Sequence, residues 1–379
     1  MAAQRILIIK PSSLGDIVHA LPVLAAVRAA RPDAHVAWLA ASGLAPLLEG
    51  HPLLDEVIPF DRARYGRMWR SPSANVAFWR FVRQIRRRRF DLTLDLQGLI
   101  RSGLLSFFSG ARRRVGFAGA REGAWLFYST RVRAPAAARH AVDRNLALAR
   151  ACGFEADEPR FPLGITQDER DSARGLLRTA AGQDVHEFIA LAPGARWESK
   201  RWPSEHFAAL LARLRSTGAT VVLLGAPQDR ALADEILAGA RVVGARQAAP
   251  SGAALPGAVP LPQEQRGLID LVGRTNLRQL AALISLARCL VCPDSGPMHL
   301  AAALNVPIVA LFGPTAPEKT GPYSPLARVA THAVPCAPCL RRVCPLGHHD
   351  CLRGLQVDTV LEAVTRACAR PRRASAAPA

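Results

Sequence analysis

Four short stretches carry side chains that could do chemistry on a polar substrate. The first, Lys10-Pro11-Ser12-Ser13-Leu14-Gly15-Asp16, sets two hydroxyls and a carboxylate around a glycine that lets a ligand approach the backbone. A carboxylate at the head of a helix can take a proton from an attacking hydroxyl, and it can equally serve as the helix cap. The second, Pro193-Gly194-Ala195-Arg196-Trp197-Glu198-Ser199-Lys200-Arg201-Trp202-Pro203, gathers cations after a glycine turn, as a phosphate-holding loop does. Its Lys200 ammonium would neutralise charge on a departing diphosphate; Arg196 and Arg201 also suit plain solvation, and Trp202 plain packing. The third, Asp294-Ser295-Gly296-Pro297-Met298-His299, can present the amides of Ser295 and Gly296 to a phosphate, with Asp294 and His299 turned toward the ligand. Capping and core packing are the other uses of those two residues. The fourth, Phe312-Gly313-Pro314-Thr315, is a further turn of phosphate size.

Each stretch needs a strand to carry it, and the flanking patterns supply one. Residues 4–9 read as a buried strand, followed after the loop by an apolar helix through Val18, Leu21, Leu24 and Val27. Further strands are expected at 36–39, 55–59 and 90–96. After about residue 165 the pattern restarts, with strands at 188–192, 220–224, 289–292 and 307–312 and helices at 203–216, 229–238 and 297–304. Alternation of this kind predicts an α/β chain with two doubly wound, Rossmann-like domains of parallel sheet facing a central cleft. The domains are expected at 1–165 and 185–355, with a helix at 356–370. The stretch 246–267, rich in Ala, Pro and Gly, reads as a surface loop insertion, and 371–379 as a disordered tail.

A chain of 379 residues has room for two ordinary cores. No run reaches the roughly 18 apolar residues of a membrane span, and the first ten residues lack a signal pattern, so a cytoplasmic protein is expected. The net charge of +19 calls for an acidic partner, or reflects an Arg-rich genome. The runs Arg86-Arg87-Arg88-Arg89 and Arg112-Arg113-Arg114 lack interleaved aromatics, which favours phosphate or membrane contact over nucleic acid. Only three of the 49 basic residues are lysines, Lys10, Lys200 and Lys319, all in or beside the loops above, where a compact ammonium suits better than a planar fork.

In these motifs the sequence closely resembles glycosyltransferase family 9, the lipopolysaccharide heptosyltransferases. The resemblance runs through Lys10 to His19, Asp95-Leu96-Gln97-Gly98-Leu99-Ile100-Arg101-Ser102, Pro193-Gly194 to Trp202-Pro203, Asp294 to Ala301 and Phe312 to Thr315. It implies a GT-B fold, an inverting transfer needing no metal or other cofactor, ADP-heptose as donor and the lipid A inner core as acceptor. By the same resemblance Asp16 is the base and Lys200 contacts donor phosphate. Ser12, Ser13, Gly15, Pro193, Gly194, Arg196, Asp294, Ser295, Gly296, His299, Gly313 and Thr315 are then the donor-binding candidates. The first domain would bind the acceptor, with Arg62, Arg64, Arg67, Arg101 and Arg121 for its phosphates and carboxylates, beside an anionic inner-membrane surface. Arg121-Glu122 and His140-Ala141-Val142-Asp143-Arg144 look most like the first heptosyltransferase, which acts on Kdo-lipid A. Rival readings are a later core heptose, a protein acceptor, a nucleotide-sugar epimerase on the same architecture, and a metal- or lipid-binding module without catalysis.

One segment departs from the simplest family pattern: Cys336-x2-Cys339-x4-Cys344-x6-Cys351, with His348 and His349 inside it. Four thiolates, or three and a histidine, suggest a structural zinc or iron site rather than disulfides. Cys152, Cys289, Cys292 and Cys368 are expected to pack as small hydrophobes.

Overall fold

The computed structural model describes residues 4–247 and 267–369. The chain divides into two compact units, Met1–Gly164 and Ile165–Ala379. The first unit runs β1 (Arg5–Ile9), α1 (Leu14–Val18), α2 (Leu21–Ala30), β2 (His35–Ala41), β3 (Glu56–Phe60), α3 (Arg62–Tyr65) and α4 (Pro72–Arg87). It continues through β4 (Leu92–Asp95), α5 (Ile100–Phe108), β5 (Arg113–Phe117), a 3-10 turn at Arg121–Phe127, β6 (Thr130–Val132) and α6 (Ala141–Arg150). Its six strands are all parallel, in the order β3-β2-β1-β4-β5-β6. The order reverses between β1 and β4, which is where ligands settle at the carboxyl ends of such sheets.

The second unit repeats the plan. It contains α7 (Gln167–Ala181), β7 (Ile189–Leu191), α8 (Ser204–Ser216), β8 (Val221–Leu223), α9 (Arg230–Gln247), β9 (Leu268–Asp270), α10 (Leu277–Leu286) and β10 (Cys289–Pro293). After these come α11 (Gly296–Ala303), β11 (Ile308–Phe312), α12 (Pro317–Thr320), β12 (Ala327–Thr331), α13 (Asp350–Arg353) and α14 (Val357–Cys368). The sheet order is β12-β11-β10-β7-β8-β9, with its reversal between β7 and β10.

Local sequence explains the element ends. Thr166 and Glu169 exchange hydrogen bonds as a capping box at the head of α7, and Gly182 closes the helix in the left-handed conformation. Asn276 and Gln279 form the same box on α10. Strands β1, β4, β7, β10 and β11 bury nearly every side chain, as a sheet covered on both faces requires. No helix among the described residues is long and apolar enough to cross a membrane.

The expected strands fall where the sequence placed them, to within about two residues at their ends. Helix α9 extends through Gln247, so the first residues of the predicted 246–267 insertion are helical. The rest of that stretch up to 266, and the predicted disordered tail 371–379, lie outside the described residues.

Candidate functional site

In the first unit the candidate residues of the loop after β1 lie at the β1/β4 switch point. Ser13 is the N-cap of α1 and Asp16 its third residue, so the cap expected of Asp16 belongs to Ser13. Asp16 completes a capping box: its Oδ2 accepts from the Ser13 amide and the Ser13 hydroxyl, both at 2.7 Å. Its other oxygen lies 3.5 Å from the Lys10 ammonium, and the side chain is still 41% exposed. The box aims the carboxylate without burying it. Gly15 is a buried residue inside α1, placed for packing, while Ser12 donates its amide to Gln97 Oε1 at 3.4 Å.

Lys10 is buried and donates to the Leu96 carbonyl at 2.7 Å, so the loop after β1 is tied to the loop after β4. Behind that loop lies Asp95, fully buried at the end of β4. It accepts from the amides of Gln97 and Gly98 at 2.9 and 3.1 Å and from the Tyr128 hydroxyl at 2.6 Å. Burial pushes the Asp95 carboxyl up, and these donors pull it back only in part. Burial and the neighbouring carboxylate likewise push the Tyr128 phenol up, so it remains a donor.

A cavity of about 170 Å³ opens here, walled by Lys10, Gln97, Phe117, Arg121, Arg144 and Asn145 among others. Arg121 of the acceptor candidates reaches it; Arg62, Arg64, Arg67 and Arg101 are exposed and do not line it.

In the second unit the loops after β7 and β10 meet at the matching switch point. The Lys200 ammonium is 2.7 Å from Asp294 Oδ2, which also accepts from the Thr315 hydroxyl at 2.7 Å. Lys200 further lies over the Trp197 ring, 4.6 Å from its centre. Asp294, expected to face a ligand, is buried and instead anchors Lys200. His299 is likewise buried on α11 rather than displayed. Ser295 caps α11, and its hydroxyl has no hydrogen-bond partner among the described residues. Gly296 is the first residue of α11 and is followed by Pro297, which carries no N–H.

The glycines earn their places by close packing as much as by access. A Cβ on Gly194 would stand 2.5 Å from the Asp229 carboxylate, and one on Gly313 would stand 2.7 Å from Leu352 Cγ and 2.9 Å from Cys351 Sγ. Pro193 is buried, Arg196 exposed, and Arg201 donates to the Ala195 carbonyl at 3.1 Å. Trp202 is fully buried and donates to the Leu355 carbonyl at 3.0 Å, a packing role. Of the three lysines, only Lys319 is exposed.

The structure gives no support to the structural zinc or iron expected at the cysteine segment. Among the described residues no group of three or more His, Cys, Asp or Glu side chains is placed to hold an ion. Cys351 is turned into the core beneath Gly313, and burial together with the sulfurs of Cys336, Cys339 and Cys344 pushes its thiol up to about 11. Cys336 faces His348 at 3.9 Å. The segment braces the cationic loop instead. Ser199 donates its amide to Arg342 O at 3.2 Å and its hydroxyl to Arg341 O at 2.6 Å, and its carbonyl meets His349 Nε2 at 2.6 Å. Leu340 donates to Pro314 O at 2.8 Å, so the Thr315 turn is held as well.

Sequence reasoning passed over Asp95 and Tyr128 as site residues and considered His349 only as a possible metal ligand. A carboxylate inside an otherwise apolar strand was the available signal for Asp95; nothing local marks Tyr128, or the contact that His349 makes with Ser199.

Two sheets with one switch point each, cations at one and a poised carboxylate at the other, can be compared with known proteins. The model of glycosyltransferase family 9 (heptosyltransferase) matches residues 78–349. The chain belongs to that family. It is 30% identical to lipopolysaccharide heptosyltransferase 1 of Pseudomonas aeruginosa, over 90% of this chain and 87% of the relative. It is also 30% identical to lipopolysaccharide heptosyltransferase 2 of Escherichia coli, over 86% and 87%. The solved ADP-heptose heptosyltransferase II of E. coli superposes with a TM-score of 0.71 at 28% identity, covering 96% of this chain and 98% of that one. This family 9 chain is therefore a glycosyltransferase of the GT-B class.

Proposed function

We propose that the chain transfers heptose from ADP-L-glycero-D-manno-heptose to the lipopolysaccharide inner core, with Kdo-lipid A as acceptor, working at the face of the inner membrane. Support for donor and pathway comes from relatives whose names carry them. Likeness to heptosyltransferases 1 and 2 is equal at 30%, so the first-heptose step rests on the Arg121 and His140 to Arg144 motifs.

In this reading Asp16 takes the proton of the acceptor hydroxyl as its oxygen bonds to the anomeric carbon. The bond from that carbon to ADP breaks, and the electron pair leaves on the diphosphate, whose charge Lys200 and the amides at Ser295 and Gly296 offset. Lys10 and Arg121 flank the cavity where an anionic acceptor would rest. Base and charge stabilisation both come from side chains and backbone, so no cofactor enters any step.

The observation that carries the proposal is Asp16, fixed by Ser13 and Lys10 yet open to solvent. Asp16→Ala is expected to lower turnover by about a thousandfold or more while ADP affinity stays within about twofold. Turnover near the native level with Kdo-lipid A would remove Asp16 from the role. Incubation with ADP-heptose and a series of truncated core acceptors, read by mass, decides the step. Nucleotide release without acceptor would favour the epimerase reading.

A further inference from the structure

The first unit carries an exposed surface that the transfer chemistry leaves unused. Between Arg62 and Phe90 the sequence holds ten arginines and neither Asp nor Glu. Four of them, Arg80, Arg83, Arg86 and Arg87, ride on α4. At 100° per residue, Val76, Arg80, Arg83 and Arg87 form one stripe with Trp79 beside it, while Phe78, Phe81, Val82 and Ile85 face the core. Trp69, on the turn before α4, is 86% exposed.

The apolar side of the stripe continues across neighbouring elements. The Trp79 ring meets Phe108 at 5.4 Å, Phe108 meets Phe107 at 5.8 Å, and Phe107 meets Phe127 at 6.1 Å. Phe107 is 50% exposed and Leu126 61%, and Ile100 stands on the same face of α5 as Phe107. Guanidinium groups edge this band, with Arg114 lying 5.6 Å from the centre of the Phe107 ring. A tryptophan left in water contributes nothing to folding, and aliphatic side chains such as Val76, Leu126 and Ile100 offer no stacking surface to a base. Aromatic and aliphatic groups ringed by arginine match the anionic interface of a bilayer, where rings sit among headgroups and guanidinium pairs with lipid phosphate.

We propose that this face docks the enzyme on an anionic lipid bilayer, with Trp69, Trp79, Phe107 and Leu126 entering the headgroup layer and the α4 arginines pairing with phosphates. The proposal deepens the reading of a membrane-borne acceptor and rests on it for the class of partner. It does not use the acceptor site.

The test is co-sedimentation of the full chain with vesicles of phosphatidylglycerol in phosphatidylcholine, free of glycolipid, against vesicles of phosphatidylcholine alone. The native protein is expected to bind the anionic vesicles and to release as salt rises. Arg80→Glu/Arg83→Glu and, separately, Trp69→Ser are each expected to weaken binding, the charge reversal by about tenfold or more. Both variants should keep the native melting curve and native transfer to an acceptor stripped of its acyl chains. Native binding no better to anionic than to neutral vesicles overturns the proposal. So does binding that neither variant weakens, or that requires glycolipid in the vesicle, or that prefers an oligonucleotide to vesicles. Failure of the native enzyme to transfer to the soluble acceptor would strike the proposed reaction and leave the vesicle result standing.

Discussion

At the scale of single residues, both candidate charges are held by partners that compete with their chemistry. Asp294 neutralises Lys200 before any substrate arrives, and Thr315 shares the same oxygen. Asp294→Asn keeps the shape but frees the ammonium to wander, and is expected to lower kcat/KM by about 10- to 100-fold, mostly through donor KM. Tyr128→Phe takes one donor from the buried Asp95 carboxylate and should cost about 1–3 kcal/mol in thermal melting. Thiol chemistry gives an independent check on the cysteine segment. Backbone amides of His349, then Leu346 and Gly347, hold the Cys344 thiol below its ordinary range, whereas burial pushes the Cys292 thiol up. Timed alkylation followed by mass spectrometry should therefore modify Cys344 early and Cys292 late.

At the scale of elements, strand ends place every candidate loop, and helices set their angles. Gly313 lets the turn after β11 rest on Cys351 and Leu352 at the head of α13. Gly313→Ala should cost about 1–3 kcal/mol and weaken ADP binding, measured by melting and calorimetric titration. A second junction joins α7 to α10 through the two-pronged pair of Glu169 and Arg278. Burial alone would raise the Glu169 carboxyl, but Arg278 and the Thr166 amide outweigh it and hold it below its ordinary 4.5. The folded state thus binds this proton less readily than the unfolded chain, so the stabilisation is present above pH 4.5 and lost as pH falls through the folded value. Glu169→Gln should lower melting at pH 7 and flatten its decline in acid.

At the scale of the molecule, most of the fold is legible in the sequence because local signals determine it. Continuous apolar runs mark β1, β10 and β11, and each is followed at once by the loop that carries a candidate residue. The loop after β1 showed its carboxylate for the same reason, although which residue caps α1 depended on one hydrogen bond that spacing could not decide. Contacts between distant parts of the chain stayed hidden. Tyr128 lies 33 residues from Asp95, and His349 lies 150 residues from Ser199, so no pattern within one motif reveals either. The cysteine spacing invited a metal, whereas the packing of Cys351 under Gly313 sends one sulfur into the core. If the second unit alone holds nucleotide, ADP should slow hydrogen exchange at 192–200 and 294–315 and leave β1 and β4 unchanged. The brace on Ser199 has one more consequence. Because Lys200 is steadied by atoms at 341, 342 and 349, a compound wedged against that segment would slacken the lysine without occupying the nucleotide pocket. Its inhibition would be of mixed type toward the sugar donor, raising donor KM without competing for the same atoms, which makes the segment an opening for drugs that need not resemble a nucleotide.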